Sequence, residues 1–107
     1  MVEYTLNLDD VFRSLADPTR RDILRRVCEA EQTITELAEK YDISFAAVAK
    51  HLNVLEKAQL VIKRKEGVQQ KVLANPVVVD MAAKHLQEYE AIWQQRYDNL
   101  ERMLEEE

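Results

Sequence analysis

Residues that interrupt helices are nearly absent from this chain. Its 107 residues include one glycine and two prolines. Each proline follows a residue type that caps helices, Asp17 before Pro18 and Asn75 before Pro76, and proline is tolerated at the first position of a helix. The single glycine, Gly67, suits a tight turn. The sequence therefore predicts a mainly α-helical fold with one β-hairpin, and it leaves few loops for a catalytic site.

Apolar spacing and capping residues predict four helices before the glycine. Asn7 is placed to cap a first helix whose apolar side chains recur at intervals of three and four residues from Leu8. Thr33 and Glu36 form a capping-box pattern that opens a third helix, and Ser44 can cap a fourth. The four predicted helices cover about 8–15, 18–29, 33–41 and 44–57.

A hairpin and one long helix complete the predicted fold. The β-rich segments 60–65 and 68–74 flank Glu66 and Gly67, which predict a tight turn. Asn75 and Pro76 then open a last helix of roughly 30 residues. The predicted order of elements is α-α-α-α-β-β-α, within a single domain of residues 1–107.

The last predicted helix carries an apolar seam that the core of so small a domain cannot cover. At 1.5 Å per residue this helix is about 45 Å long, and its apolar residues step by three and four positions. The first helix also has more apolar surface than a small core needs. The pattern predicts a homodimer joined through Leu8, Phe12, Leu86, Tyr89, Trp93, Tyr97 and Leu100.

The third and fourth helices form the pattern of a helix-turn-helix, and the hairpin after them makes it winged. In that arrangement the fourth helix enters the major groove of double-stranded DNA, where base edges are distinguishable. The start of the third helix suits phosphate oxygens, and cations on the wing gain free energy by releasing counterions. The predicted DNA contacts are Thr33, Thr35, Ser44, Phe45, Ala46, Ala49, Lys50, His51, Lys63, Lys65 and Lys71.

This reading divides the chain into parts. Residues 8–32 form the first helices that support the dimer, 33–58 the helix-turn-helix, 60–75 the wing and 76–105 the dimerisation helix. The total charge argues against a nucleic-acid partner, since 15 Lys+Arg face 20 Asp+Glu. However, residues 44–75 carry 6 basic and 2 acidic side chains, net +4, whereas 1–43 carry −4 and 76–107 carry −5. The predicted reading helix and wing are therefore basic.

The start of the fourth helix is unusually apolar for a helix that reads DNA. Phe45, Ala46 and Ala49 offer no hydrogen-bonding side chain. Two interpretations stay open, contact with thymine methyl groups or specificity through DNA shape and dimer spacing. His51 is equally open between a phosphate contact and a role in holding the helix against its neighbours. A winged-helix module that binds a protein partner through the apolar surface is an alternative function.

Four segments carry a resemblance to a known family. LADPTRRDIL at 15–24, TELA at 35–38, SFAAVAKHLNVL at 44–55 and AQLV at 58–61 resemble the ArsR-type winged-helix transcriptional regulators. The resemblance covers nearly the whole chain, from about residue 8 to 104. It implies a dimeric bacterial or archaeal repressor on a palindromic operator, released by a metal, an oxidant or another ligand. The inducer is not apparent from the sequence.

The chain is most similar to the metal-free branch of that family. Residues 33–37 lack the thiols of one metal-sensing branch, and the last helix offers only Asp80, His85 and Glu88 as a fragment of another. We therefore expect no metal and no cofactor, with a metal-responsive sensor through the last helix as a further alternative. Cys28 follows the inward-facing Val27, and we expect it to be a small buried hydrophobic residue.

Other classes of protein are not indicated. The chain has no run of about 18 apolar residues, which argues against a membrane span. Residues 1–7 lack the basic and apolar parts of a secretory signal. Together with the single cysteine these features predict a cytoplasmic protein. No motif of nucleotide-binding, zinc-protease or hydrolase type is present, and we expect no enzymatic activity.

Overall fold

The computed structural model describes residues 7–106 and has the predicted succession of four helices, a hairpin and a long helix. The expectation of no secretory signal concerns residues 1–7, and residues 1–6 lie outside the described part. None of the helices within 7–106 has the length and apolarity needed to cross a bilayer. The elements are α1 Leu8–Ser14, α2 Pro18–Glu29, β1 Gln32–Thr33, α3 Ile34–Ala38, α4 Phe45–Lys57, β2 Val61–Glu66, β3 Gln69–Ala74 and α5 Pro76–Glu105.

The helices begin where the capping residues predict. Asn7 accepts a hydrogen bond from the backbone of Asp10 at 3.2 Å, Asp17 caps α2, and Ser44 accepts from the backbone N–H of Ala47 at 3.1 Å. Each cap satisfies a backbone donor that the first turn of a helix leaves unpaired. α3 ends at Ala38, about three residues before the end that its sequence predicts.

A strand that the sequence does not predict precedes α3. β1 consists of two residues and pairs antiparallel with β3, with Gln32 opposite Val72 and Thr33 opposite Lys71. The sheet order is therefore β1-β3-β2. A segment of two residues is too short to show a period in its side chains, so only its long-range partner identifies it as a strand.

The hairpin and the end of α4 each depend on one residue with positive φ. The hairpin turn is Gly67–Val68, one residue later than predicted, because Glu66 pairs with Gln69. Gly67 has φ +62°, which a tight hairpin turn requires at this position. At the end of α4, Gln59 has φ 65°. The N–H of Leu60 donates to the carbonyl of Leu55 at 3.0 Å, which satisfies a terminal carbonyl and directs the chain into β2.

One apolar core joins the first four helices, the sheet and the start of α5. Its fully buried side chains include Ile23, Leu37, Leu52, Leu55 and Val72. Along α4, the buried Leu52 and Leu55 continue the stripe that the sequence predicts. This stripe fixes the helix by one face and leaves its opposite face in solvent.

Cys28 corrects a prediction. It is exposed, not buried, because α2 turns its core face inward through Ile23 and Val27, four residues apart. The next position lies about 100° further around a helix of 3.6 residues per turn. Partial desolvation still raises the pKa of the Cys28 thiol.

A polar cluster ties α2 to the loop after α3. The Tyr41 hydroxyl donates to Asp22 Oδ2 at 2.6 Å, and Arg25 and Arg26 donate to the same carboxylate at 2.7 and 2.8 Å. These hydrogen bonds hold the pKa of Asp22 far below its usual range. Burial, with the bond to the carboxylate, raises the pKa of Tyr41 to about 12.

This cluster predicts a specific loss of stability in acid. A carboxyl whose pKa is lower in the folded state stabilises the fold above its unfolded pKa, and that stability disappears as the pH falls through the folded value. We therefore expect the free energy of unfolding to decrease as the pH is lowered from about 4. Asp22→Asn should make this decrease smaller. Urea denaturation at a series of pH values measures this decrease.

The control for this prediction is Asp9→Asn, at an exposed carboxylate outside the cluster, which should keep the wild-type profile of stability against pH. Identical profiles for wild type and Asp22→Asn would contradict the assignment.

Candidate nucleic-acid interface

The face of α4 that points away from the core forms the centre of the candidate interface. Phe45 is 55% exposed, Ala46 and Lys50 are exposed, and Ala49 is half-buried. Ile43, just before the helix, is 40% exposed. The reading helix of the predicted helix-turn-helix thus presents an apolar first turn, followed one turn later by a cation.

The capping box predicted at the start of α3 is confirmed, and it has a consequence for Thr33. Thr33 is 6% exposed, and its hydroxyl accepts from the backbone N–H of Glu36 at 3.1 Å. The Glu36 carboxylate accepts from the backbone N–H of Thr33 in return, at 3.3 Å. This capping box and the strand pairing of Thr33 occupy the groups that were to meet a phosphate, so the structure argues against Thr33 as a DNA contact. Thr35 is exposed and stays a prediction.

His51 is half-buried, on the side of α4 that contacts the start of α2. Its Nδ1 lies 3.4 Å from Nη1 of Arg20 and 3.9 Å from a carboxylate oxygen of Asp17. Arg20 also donates to the backbone carbonyl of Ser14 at 2.5 Å, at the end of α1. His51 therefore joins the reading helix to α1 and α2, which favours the second of its two interpretations, holding the helix in place.

An open pocket of about 240 Å³ lies beside this junction. It is lined by Arg20, Ala47, Lys50, His51 and Val54. Two of these side chains, Arg20 and Lys50, are cations, so the pocket gives the middle of α4 a positive rim. The sequence does not predict Arg20 as part of this site, although its position three residues after the capping Asp17 places it in the first turn of α2.

The wing contains four cations, and three of them are held by carboxylates of the same chain. Lys71 Nζ lies 3.2 Å from a carboxylate oxygen of Glu31 and 3.1 Å from one of Glu66. Hydrogen bonding to Glu66, and to a smaller extent to Glu31, raises the pKa of Lys71. Arg64 contacts the same two carboxylates, at 3.6 and 2.9 Å. Much of the predicted wing charge is therefore neutralised within the fold.

Lys63 has a structural partner as well. Its side chain is 12% exposed and its Nζ lies 3.5 Å from the carboxylate of Glu56 on α4, while it donates a hydrogen bond to Asn53 Oδ1. Lys63 thus connects β2 to the reading helix and is not free to meet a phosphate. Lys65 is exposed and has no ion pair among the described residues. Asn53, three positions after Lys50, belongs to this junction and is absent from the predicted contacts.

The seam of α5 is uncovered in the single chain. Beyond Ala82 the described part of α5 has no buried residue, and the predicted interface residues on it are all exposed. Ile92 belongs to the same surface, and its position three residues after Tyr89 fits the spacing rule. The exposed apolar side chains are Leu86, Tyr89, Ile92, Trp93, Tyr97, Leu100, Met103 and Leu104.

α1 continues this surface. Phe12 is exposed, with its ring 6.1 Å from that of His85, which in turn lies 5.3 Å from Tyr89 in an edge-on arrangement. Leu8 is half-buried. The aromatic contacts bring the predicted interface residues of α1 and α5 onto one continuous surface.

The residues proposed for metal sensing do not gather. Asp80 pairs with Lys84 at 3.1 Å, and His85 packs between two aromatic rings. Within residues 7–106 no group of three His, Cys, Asp or Glu side chains is arranged to hold a metal ion. The absence of a metal in this protein stays a prediction.

A short helix, a turn, a longer reading helix and a hairpin against it define the winged helix-turn-helix class, the architecture of DNA-binding transcriptional regulators. A family model described as "Bacterial regulatory protein, arsR family" matches residues 17–63. An uncharacterized HTH-type transcriptional regulator of Bacillus subtilis, YuzN, is 46% identical over 68 residues, which are 57% of this chain and 74% of that protein. The chain belongs to the ArsR family of bacterial regulatory proteins.

Further relatives agree with this family. The transcriptional repressor SdpR of Bacillus subtilis is 33% identical over 60 residues, 56% of this chain and 67% of that one. An ArsR-like transcriptional regulator from Rhodococcus sp. RHA1 superposes with a TM-score of 0.69 at 32% identity, over 90% of this chain and 91% of that one. A homodimeric winged helix-turn-helix DNA-binding domain from Mycobacterium bovis shares the fold, with a TM-score of 0.66 at 20% identity over 82% of each chain.

Proposed function

We propose that this ArsR-family regulator is a homodimer that binds a palindromic operator and represses its own or a neighbouring operon. It acts in the cytoplasm as a single domain of residues 1–107 and has no enzymatic activity. The relation to a repressor of Bacillus subtilis supports the direction of regulation. The inducer stays open.

One observation carries the DNA-binding part of the proposal. Lys50 on α4 and Lys65 on β2 are exposed and have no ion pair within the described residues, whereas Lys63 and Lys71 are paired internally. Both of these cations lie on elements that a winged helix-turn-helix brings to DNA. The junction through Lys63, Asn53 and Glu56 holds these elements together, so both cations can act on one duplex.

The dimer part of the proposal is supported by the exposed seam of α1 and α5. A contiguous apolar surface of this kind marks an interaction site, and a second copy provides the same pattern of apolar residues on a helix of equal length. A two-fold dimer would place its two reading helices about 34 Å apart, one turn of DNA. The Phe12–His85–Tyr89 contacts orient α1 and α5 for such a joint surface.

The unpaired cations lead to a prediction on salt dependence. We expect Lys50→Ala and Lys65→Ala each to weaken binding to the selected operator and to unrelated DNA by a similar factor. Each should also lower the slope of log affinity against log salt by about 2 per dimer, since one phosphate contact contributes about 0.9 and the dimer has two copies. Fluorescence anisotropy between about 50 and about 200 mM salt measures both effects.

Lys71→Ala is the matched control on the wing. It removes one positive charge, as Lys65→Ala does, but from a side chain paired with Glu31 and Glu66. We expect its salt slope to stay close to that of the wild type. Equal slopes for Lys65→Ala and Lys71→Ala would show that the internal pairing does not decide which cations meet DNA. An unchanged slope for both Lys50→Ala and Lys65→Ala would contradict the proposed docking.

A further inference from the structure

The first turn of α4 is exposed but offers DNA mostly carbon. Phe45 is 55% exposed and does not belong to the apolar core or to the residues packed against it. Ala46 is exposed, Ala49 is half-buried, and Ile43 before the helix is partly exposed. Together these side chains form an apolar patch on a capped helix that is anchored to the core, and such a patch indicates a partner.

The polar side chains of α4 that normally read base edges already have partners in the same chain. Ser44 Oγ accepts from the Ala47 backbone, His51 faces Arg20 and Asp17, and Asn53 accepts from Lys63. From Ser44 to Asn53, the one polar side chain with no hydrogen bond or ion pair in the described structure is Lys50. Reading of base edges by hydrogen bonds is therefore limited mainly to Lys50, which can donate to guanine.

The major groove has one apolar feature, the C5 methyl group of thymine, and alanine and phenylalanine are among the residues that contact it. Building on the proposed function, we infer that α4 selects its operator through thymine methyl groups packed against Phe45, Ala46 and Ala49. Lys50, one turn after Ala46, supplies the charge that holds this apolar turn against the polyanion. The exposed cations Lys50 and Lys65, which have no ion pair among the described residues, favour DNA over a protein partner for the same surface.

The test separates the methyl group from every other property of the base. Bound DNA is first selected from a random pool, and each thymine of the selected half-site is then replaced by deoxyuridine. This change removes the methyl group and leaves hydrogen bonding and charge intact. We expect one or two thymines per half-site to matter. Each should lower affinity by about fourfold, and by about fifteenfold when both half-sites are changed, the factors that burial of one and two methyl-sized groups give.

A double-mutant cycle assigns the effect to the side chain. Phe45→Ala should weaken binding to the thymine operator and abolish the difference between thymine and deoxyuridine at its contact position. Because Phe45 is exposed, this variant should fold as the wild type does. Val54→Ala, on the same helix but outside the apolar first turn, should keep the full difference. Ala46→Ser places a hydroxyl on the same turn and should reduce the preference for thymine in a new selection.

Three results would overturn the inference. The first is a selected half-site without a recurring thymine. The second is equal affinity for thymine and deoxyuridine operators while the salt dependence of binding persists, which leaves the proposed DNA-binding function in place. The third is no selection of DNA even at low salt, together with a protein that binds wild type but not Phe45→Ala. That result would reject the DNA-binding function as well and assign the surface to a protein partner.

Discussion

Replacing Trp93 with glutamate should split the dimer and lower operator affinity by at least about 100-fold. Trp93 lies near the middle of the α5 seam and is 58% exposed in the single chain. A carboxylate there would be buried without a partner, which costs several kcal/mol per protomer, and about 1.4 kcal/mol corresponds to a factor of ten. Each monomer would then hold one half-site without its neighbour. Analytical ultracentrifugation and operator titration measure the two effects.

The matched control for this prediction is Gln95→Glu. It introduces the same charge on the same helix, two positions further on and therefore on the opposite side. We expect Gln95→Glu to remain dimeric with unchanged affinity. Since α5 has no buried residue near Trp93, circular dichroism of Trp93→Glu should show a folded protein. A dimer that survives Trp93→Glu would show that another surface joins the protomers.

Leu55→Ala should lower the free energy of unfolding by about 2–5 kcal/mol. Leu55 is fully buried on the core face of α4, and such truncations remove packing and leave a cavity. Domains of this kind are stable by only about 5–15 kcal/mol, so the loss is a large part of the total. Urea denaturation at a fixed protomer concentration measures it, because dimer stability depends on concentration.

Val54→Ala, one residue earlier on the same helix, provides the comparison. Val54 is 37% exposed, and we expect its truncation to cost less than about 1 kcal/mol. Similar losses for the two variants would mean that α4 is not anchored by the Leu52–Leu55 face. The assignment of the opposite face to DNA would then lose its structural basis.

The helices and the hairpin could be predicted because their signals are local. Asn7, Ser44 and Thr33 act as caps within three residues of their partners, and the apolar spacing of α4 lies within one helix. Gly67 marks the hairpin for the same reason, since its conformation is set by a single residue. These signals, together with the four segments that resemble the ArsR family, are sufficient to predict the winged helix-turn-helix fold from the sequence.

Features that depend on distant residues could not be predicted. The pairing of Lys71 with Glu31 joins residues 40 positions apart, so the sequence shows a basic wing where the fold has mostly paired charges. β1 exists only because β3 lies beside it. Gln59 takes a conformation that glycine usually fills, and no spacing rule points to it. The burial of Thr33 and the exposure of Cys28 were not predicted either. Each residue lies at the boundary between the core and the surface, where one position along the chain decides burial.

The short strand β1 has a consequence for how any inducer can act. It fixes the residue that caps α3 to the middle of the wing, and the wing is fixed to α4 through Lys63. The two elements proposed to contact DNA are therefore held to each other, and we expect them to move together relative to α5. We expect an inducer to change the distance and rotation between the two reading helices of the dimer. The surface that each protomer presents to its half-site should stay the same.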